Sequence, residues 1–240
     1  MTEKIMKKRK KRQFILFAAF IAAFSFFSYG RGIGVNADGF GADFETSAAG
    51  NAVCVQAKAA CVIELSSRRV VFEKDGERKL PMASTTKIAT ALTVLDKLTE
   101  NGDESRLDEK FFVPAACCGI EGSSVYLKEN DETSARELLY GLMLSSGNDA
   151  AVALALYCCG SIPEFANLMN DKAQRLGMTQ SHFENPNGLD AENHRSTARD
   201  LAILASYAMD NPIFRQTVST KTVTVGSRLL RNHNKLLWLY

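Results

Sequence analysis

Interpretation of this chain starts at Pro81-Met82-Ala83-Ser84-Thr85-Thr86-Lys87. Apolar positions at helical spacing follow as far as Lys97, so the pattern predicts a helix that begins at Ser84. Positions i and i+3 share one face of a helix, so the Lys87 amine can reach the Ser84 hydroxyl. A serine hydroxyl becomes a nucleophile when a base removes its proton, and burial lowers the pKa of a lysine toward the range where its amine can be that base. A serine cap beside a solvated lysine is the alternative for these four residues alone.

A second polar site lies 62 residues farther along, at Ser146-Gly147-Asn148. It interrupts two apolar helical patterns, the second of which extends to Tyr157. A serine and an asparagine at such a break can donate and accept hydrogen bonds at the floor of a cleft. A capped turn between two helices, without any chemistry, is the alternative interpretation.

Together the two motifs resemble those of the penicilloyl-serine transferase superfamily. They are most similar to those of the low-molecular-weight penicillin-binding proteins, which are serine D-alanyl-D-alanine carboxypeptidases. The stretches that carry the resemblance are Lys79–Thr90, Gly122–Leu127, Leu142–Ala151, Asn185–Asp190, Ser196–Asp200 and Asn232–Leu237. The resemblance implies an α/β fold of the β-lactamase/transpeptidase type, with an antiparallel sheet flanked by helices and a helical subdomain.

The resemblance also implies a role for four residues. Ser84 would attack the carbonyl between the two terminal D-alanines of a peptidoglycan stem peptide, and Lys87 would take its proton. Ser146 would pass a proton to the leaving amine, and Asn148 would hydrogen-bond the substrate amide. The backbone N–H of Ser84 would form half of the oxyanion hole. Water would release the acyl-enzyme, whereas β-lactams would acylate Ser84 and stay bound.

The third motif of that family, Lys-Thr-Gly on a sheet strand, does not occur in this sequence. Lys221-Thr222 is followed by Val223 and precedes Asn232–Leu237, whereas the family motif follows that segment. We therefore expect a sheet that is incomplete at the C-terminus. We also expect impaired activity, because one missing oxyanion donor costs about 10²–10³ in rate. A truncated chain or partial gene product is the favoured explanation, and a second polypeptide that completes the site is the alternative.

The order of predicted elements independently favours an α/β sandwich with a mainly antiparallel sheet, in a domain from residue 52 to 240. Ala59–Leu65 and Arg69–Glu73 are predicted to pair as a hairpin. The β-branched residues of Thr217–Val225 predict a further strand. Capping boxes are predicted at Ser134 with Glu137 and at Thr197 with Asp200.

Residues 1–37 have the pattern of an export signal. Eight basic side chains and one acidic side chain accompany an apolar stretch of 14 residues, Phe14–Phe27. A helix that spans a membrane needs about 20, so we expect a cleaved signal, a linker over 38–51 and an extracytoplasmic protein. A retained membrane anchor is the alternative. Residues 38–240 contain 21 basic and 26 acidic side chains, which disfavours nucleic acid as a partner.

Six cysteines leave the disulfide pairing open. Cys117 and Cys118 are adjacent in the chain, as are Cys158 and Cys159. The Cα atoms of adjacent residues are too close together for a disulfide to form readily between them. We expect most of the six to be small buried apolar side chains. The three histidines lack the spacing of metal ligands, so we expect neither a metal nor another cofactor.

Two other functions fit part of the pattern. A class A β-lactamase needs a deacylating glutamate near the cleft, and Glu184 is the nearby acidic residue before Pro186. The sequence around Pro186 favours the carboxypeptidase. A non-catalytic peptidoglycan-binding protein would retain the cleft alone, but the presence of both Ser84 and Lys87 argues against it.

Overall fold

A computed structural model describes residues 54–239, so the predicted signal (1–37) and linker (38–51) lie outside the described residues. The helices in this range are α1 (Thr86–Leu98), α2 (Ala135–Leu144), α3 (Asn148–Cys159), α4 (Ile162–Arg175), α5 (Ala198–Ala208), α6 (Pro212–Ser219) and α7 (Leu236–Leu239). The strands are β1 (Ala60–Ile63), β2 (Val70–Lys74), β3 (Lys110–Phe112), β4 (Glu132–Ser134), β5 (Thr222–Val225) and β6 (Arg228–Arg231).

The strands pair as antiparallel ribbons. The predicted hairpin is confirmed as β1 and β2, in which Cys61 lies opposite Glu73 and the register shifts between Val62 and Ile63. Strand β3 pairs with β4, and β5 pairs with β6. The α/β class and the antiparallel pairing are therefore confirmed. Within residues 54–239, however, the strands form three separate two-stranded sheets and not one continuous sheet.

Helix α1 lies at the centre of the core. All its residues except Asp96 and Lys97 are buried, and it contacts α2, α3, α4 and α5. Because α1 is enclosed on several sides, the polar residues of its first turn are held inside the protein.

Among residues 54–239, no single helix is long and apolar enough to cross a bilayer. Only α3 and α4 taken together, across an 88° bend, have the length and composition to do so.

The strand predicted over Thr217–Val225 is wrong in its first half. Asn211 caps a helix there by accepting hydrogen bonds from the backbone of the next turn, and Pro212 occupies a first-turn position where it needs no N–H partner. The Thr217 hydroxyl donates to the carbonyl of Ile213 one turn earlier, at 2.8 Å. Helix α6 therefore continues to Ser219, and of the range predicted as a strand only Thr222–Val225 (β5) is one.

The two predicted capping boxes differ. Ser134 and Glu137 form a complete box at the start of α2. At α5 the Thr197 hydroxyl accepts the backbone N–H of Asp200, as predicted. The Asp200 carboxylate accepts hydrogen bonds from Ser181 at 2.8 Å and from the backbone of Gln180 at 3.2 Å. These two hydrogen bonds connect the first turn of α5 to residues 180 and 181.

The cysteines are less buried than expected. Only Cys117 is buried, Cys54 is exposed, the other four are partly buried, and all six are free thiols. Burial raises the pKa of Cys117 to about 11 and that of Cys158 to about 12. Both thiols are therefore protonated, and poorly nucleophilic, near neutral pH.

Candidate active site

Ser84 lies in a single 3₁₀ turn, Ala83–Thr85, directly before α1. The α-helix therefore begins two residues later than predicted, and Ser84 lies just before its N-terminal end. Ala83 has φ +45°, a left-handed conformation that is uncommon for a residue with a Cβ. The turn is thus held in a strained shape by its surroundings, and strain of this kind is found at functional sites.

Lys87 is 1% exposed, and its amine has three oxygen neighbours. The Nζ atom lies 3.1 Å from Ser84 Oγ, 2.7 Å from Asn148 Oδ1 and 2.6 Å from the backbone oxygen of Asn187. The oxygens of Asn148 and Asn187 can only accept hydrogen bonds. A neutral amine has two N–H groups and one lone pair. When those two N–H groups serve the two carbonyl oxygens, the lone pair is directed at the Ser84 hydroxyl.

The electrostatic surroundings favour that neutral amine. Burial lowers the pKa of Lys87 to about 7, because removal from water penalises the ammonium form, and the negative charge of Asp149 acts in the opposite direction. An appreciable fraction of the amine is therefore neutral near pH 7, where a free lysine would be almost wholly protonated.

Asn148 is the first residue of α3 and is buried. Its Nδ2 donates to the backbone oxygen of Glu121 at 2.6 Å, and its backbone N–H donates to Ser123 at 2.7 Å. These contacts fix which way the side-chain amide faces. Its Oδ1 is turned to Lys87 and keeps a second lone pair, which can accept a further N–H.

Ser146 lies in the predicted break between α2 and α3. Its backbone has φ +57°, and its residue is 8% exposed. Among the contacts within residues 54–239, its hydroxyl has no hydrogen-bond partner. The structure thus joins Ser84, Lys87 and Asn148 by direct hydrogen bonds and leaves the buried hydroxyl of Ser146 free to take a proton or give one.

The segment 183–195 forms another side of the site. It contains Asn185–Asp190, one of the stretches that carry the family resemblance, for which no role was predicted. It supplies the carbonyl of Asn187, and the Thr90 hydroxyl donates to the carbonyl of Pro186 at 2.6 Å. His194 accepts the backbone N–H of Glu184 at Nδ1, so its Nε2 carries the proton and donates to Thr86 Oγ1 at 2.8 Å. Three residues of α1, Thr86, Lys87 and Thr90, thereby hold this segment in place.

Glu184 is the candidate base of a β-lactamase, and none of the hydrogen bonds found within residues 54–239 joins its carboxylate to Ser84, Lys87, Ser146 or Asn148. Its carboxylate accepts the backbone N–H of Asn193 at 2.9 Å, within its own segment. The contacts of Glu184 therefore do not favour the β-lactamase alternative.

The model of a protein family described as D-alanyl-D-alanine carboxypeptidase matches residues 45–240. D-alanyl-D-alanine carboxypeptidase DacF of Bacillus subtilis is 34% identical over 184 residues, and DacC of Escherichia coli is 37% identical over 191 residues. Each alignment covers 77% of this chain but only 46% and 47% of the relatives, so the chain spans about half the length of these proteins.

A solved structure of penicillin-binding protein 5 from Haemophilus influenzae superposes with a TM-score of 0.72 at 28% identity. The superposition covers 77% of this chain and 54% of that protein. The likeness confirms the transpeptidase-like fold that the sequence motifs implied.

Proposed function

This chain belongs to the D-alanyl-D-alanine carboxypeptidase family, and on that premise we propose that it removes the terminal D-alanine from peptidoglycan stem peptides through an acyl-enzyme on Ser84. One observation carries the proposal. The buried Lys87 amine has two neighbours that can only accept hydrogen bonds, and its third neighbour is the Ser84 hydroxyl at 3.1 Å. A lone pair directed at a hydroxyl is the arrangement that general-base activation requires.

The proposed reaction has two stages. The Ser84 oxygen attacks the carbonyl carbon of the penultimate D-alanine while its proton moves to Lys87. The negative charge on the carbonyl oxygen is then stabilised at the N-terminal end of α1, where the Ser84 N–H is one donor. The C–N bond breaks, the leaving amine takes a proton through Ser146, and D-alanine departs. Water then hydrolyses the ester and restores Ser84.

The binding role is assigned to Asn148. Its Oδ1 has a second lone pair besides the one that accepts from Lys87, and this lone pair can accept an N–H of the peptide substrate. A β-lactam carries an amide in an equivalent place beside its reactive carbonyl. We therefore propose that β-lactams acylate Ser84 and inhibit the protein.

Labelling by a fluorescent penicillin tests the nucleophile. The chain is incubated with the penicillin and the modified peptide is identified by mass spectrometry, which should place the label on Ser84. Ser84→Ala should lose the label, and the matched control Ser219→Ala, which changes an exposed serine on α6, should keep it. Label that persists in Ser84→Ala would contradict the proposal. Release of D-alanine from a peptide that ends in D-Ala-D-Ala then tests the activity itself.

The site of action is proposed to lie outside the cytoplasmic membrane. The support is the export signal predicted over residues 1–37, together with a substrate that is part of the cell wall. N-terminal sequencing of the protein purified from cells checks this proposal. A mature chain that begins after Ala37 is expected, and an intact Met1 would contradict cleavage.

A further inference from the structure

We propose that Asp149 is a positioning residue for acyl transfer at Ser84: its carboxylate holds the segment 121–127 against Asn148, so that Asn148 presents its oxygen to Lys87. The inference rests on the proposed function of Ser84 and adds a residue to it.

Asp149 is 1% exposed, and hydrogen-bond donors replace the water that its carboxylate has lost by burial. It accepts the Ser124 hydroxyl at 2.6 Å and the backbone N–H groups of Val125 and Leu127 at 3.0 Å each. It also accepts the N–H of Ala150, at 2.9 Å. Among residues 54–239 no lysine or arginine forms an ion pair with it. A buried carboxylate held almost wholly by one segment fixes the conformation of that segment.

The same segment encloses the next residue along the chain. The carbonyls of Glu121 and Ser123 accept the side-chain and backbone N–H groups of Asn148. Gly122, at φ +91°, passes so close that a Cβ there would lie 2.7 Å from Asn148 Nδ2. The side-chain amide is therefore clamped in one orientation. In the opposite orientation Oδ1 would face the carbonyl oxygen of Glu121, and two acceptors would meet with no donor between them.

Asp149 also acts on the amine through its charge. It is the charged side chain that raises the pKa of Lys87 against the effect of burial. The nearby Cys117 thiol also responds to Asp149, but burial raises its pKa to about 11 and leaves it neutral near pH 7. Loss of the carboxylate should therefore have two separate effects: Asn148 is released, and the pKa of Lys87 falls further.

Asp149→Asn tests both effects, because it keeps the size of the side chain and removes the charge. We expect acylation by penicillin to slow by about 10²-fold, the scale of a misplacement of roughly 1 Å in an active site. We also expect the midpoint of the pH–rate profile to move to lower pH. Asp149→Glu restores the charge and should return the midpoint toward that of the unchanged protein. Asp103→Asn, at an exposed turn carboxylate that accepts the N–H of Ser105, is the matched control and should change neither quantity.

Two further measurements do not depend on acylation. Nuclear magnetic resonance of the lysine side chains gives the pKa of Lys87, and hydrogen exchange gives the protection of the Asn148 side-chain amide. Both should fall in Asp149→Asn. If Asp149→Asn does not fold, Ser124→Ala removes a single donor to the carboxylate and should reduce the same protection to a smaller extent.

The outcomes separate the two proposals. A folded Asp149→Asn protein with unchanged Asn148 protection and unchanged Lys87 pKa overturns the inference, and unchanged protection in Ser124→Ala overturns it where Asp149→Asn does not fold. If both quantities fall while the unchanged protein shows no label on Ser84, the positioning of the amine is supported and the proposed function fails.

Discussion

Gly188 lies directly against the carbonyl group of Ala83, so that a Cβ built on Gly188 would be 2.0 Å from the Ala83 oxygen. The backbone of Gly188 also has φ +89°, a region that side chains disfavour. The segment that supplies the Asn187 carbonyl is therefore packed onto the turn that holds Ser84. Only a residue without a side chain allows this approach.

Gly188→Ala should consequently displace the Ser84 turn. We expect the acylation rate to fall by at least about 10-fold and the free energy of unfolding to fall by roughly 1–3 kcal/mol, the range for overpacking and backbone strain. Gly177→Ala separates the two causes, since Gly177 has φ +76° but nothing within 4 Å of the built Cβ. It should lose stability and keep its acylation rate. Equal rates in the two variants would show that the contact with Ala83 does not matter.

The pH dependence of acylation should follow the Lys87 amine. Only the neutral amine can take the Ser84 proton, and its pKa is lowered to about 7, so the rate should rise with pH through about 7 and level off above it. Stopped-flow measurement of acylation from pH 5 to 9 checks the profile. A rate that falls as the pH rises through 7 would mean that the ammonium form is required.

Lys87→Arg should remove this base, because a guanidinium does not lose its proton in proteins. We expect acylation to slow by about 10²–10⁴-fold, the usual contribution of a general base. Lys128→Arg, at an exposed lysine, is the control and should acylate normally. A Lys87→Arg protein that retains more than a tenth of the rate would exclude Lys87 as the base.

His194 should make the protein less stable in acid. Burial lowers its pKa to about 4, with Glu184 and Asp190 acting against that effect and His182 and Arg195 with it. An unfolded histidine has a pKa of about 6.5, so between pH 6.5 and 4 the unfolded chain binds the extra proton and stability falls as the pH falls. The full effect is on the order of 3 kcal/mol.

Urea unfolding between pH 4 and 7.5 measures this contribution. His194→Gln should flatten the pH dependence, and His233→Gln, at an exposed histidine, should leave it as it was. If the free energy of unfolding falls equally steeply with falling pH in His194→Gln and in the unchanged protein, the loss of stability in acid comes from other groups.

The centre of the site could be predicted because it depends on local geometry. A spacing of three residues brings Ser84 and Lys87 together across one turn, even though Ser84 lies in the 3₁₀ turn before α1. The break at Ser146 is indicated by polar residues between two apolar patterns. The third neighbour of the amine could not be predicted in the same way. The backbone carbonyl of Asn187 is present in every residue type, so no side-chain pattern indicates it.

The failed strand has a similar explanation. The β-branched residues of Thr217–Val225 fit a strand by propensity, but propensity is weak and the strong signals lay just before them. Asn211 and Pro212 start a helix, and the buried side chains of Ile213, Phe214 and Thr217 keep it packed on the core. The helix therefore continued through residues that alone would prefer to be extended.

The contacts of Lys87 with Asn148 and Asn187 join residues that are 61 and 100 positions apart in the chain. Closing such loops costs chain entropy before the stabilising contacts form. A partly folded molecule therefore has Ser84 and Lys87 close together but lacks the oxygens of Asn148 and Asn187 that orient the amine. Reactivity toward a penicillin would then report completed folding, and an antibiotic would find no target in a chain still being assembled.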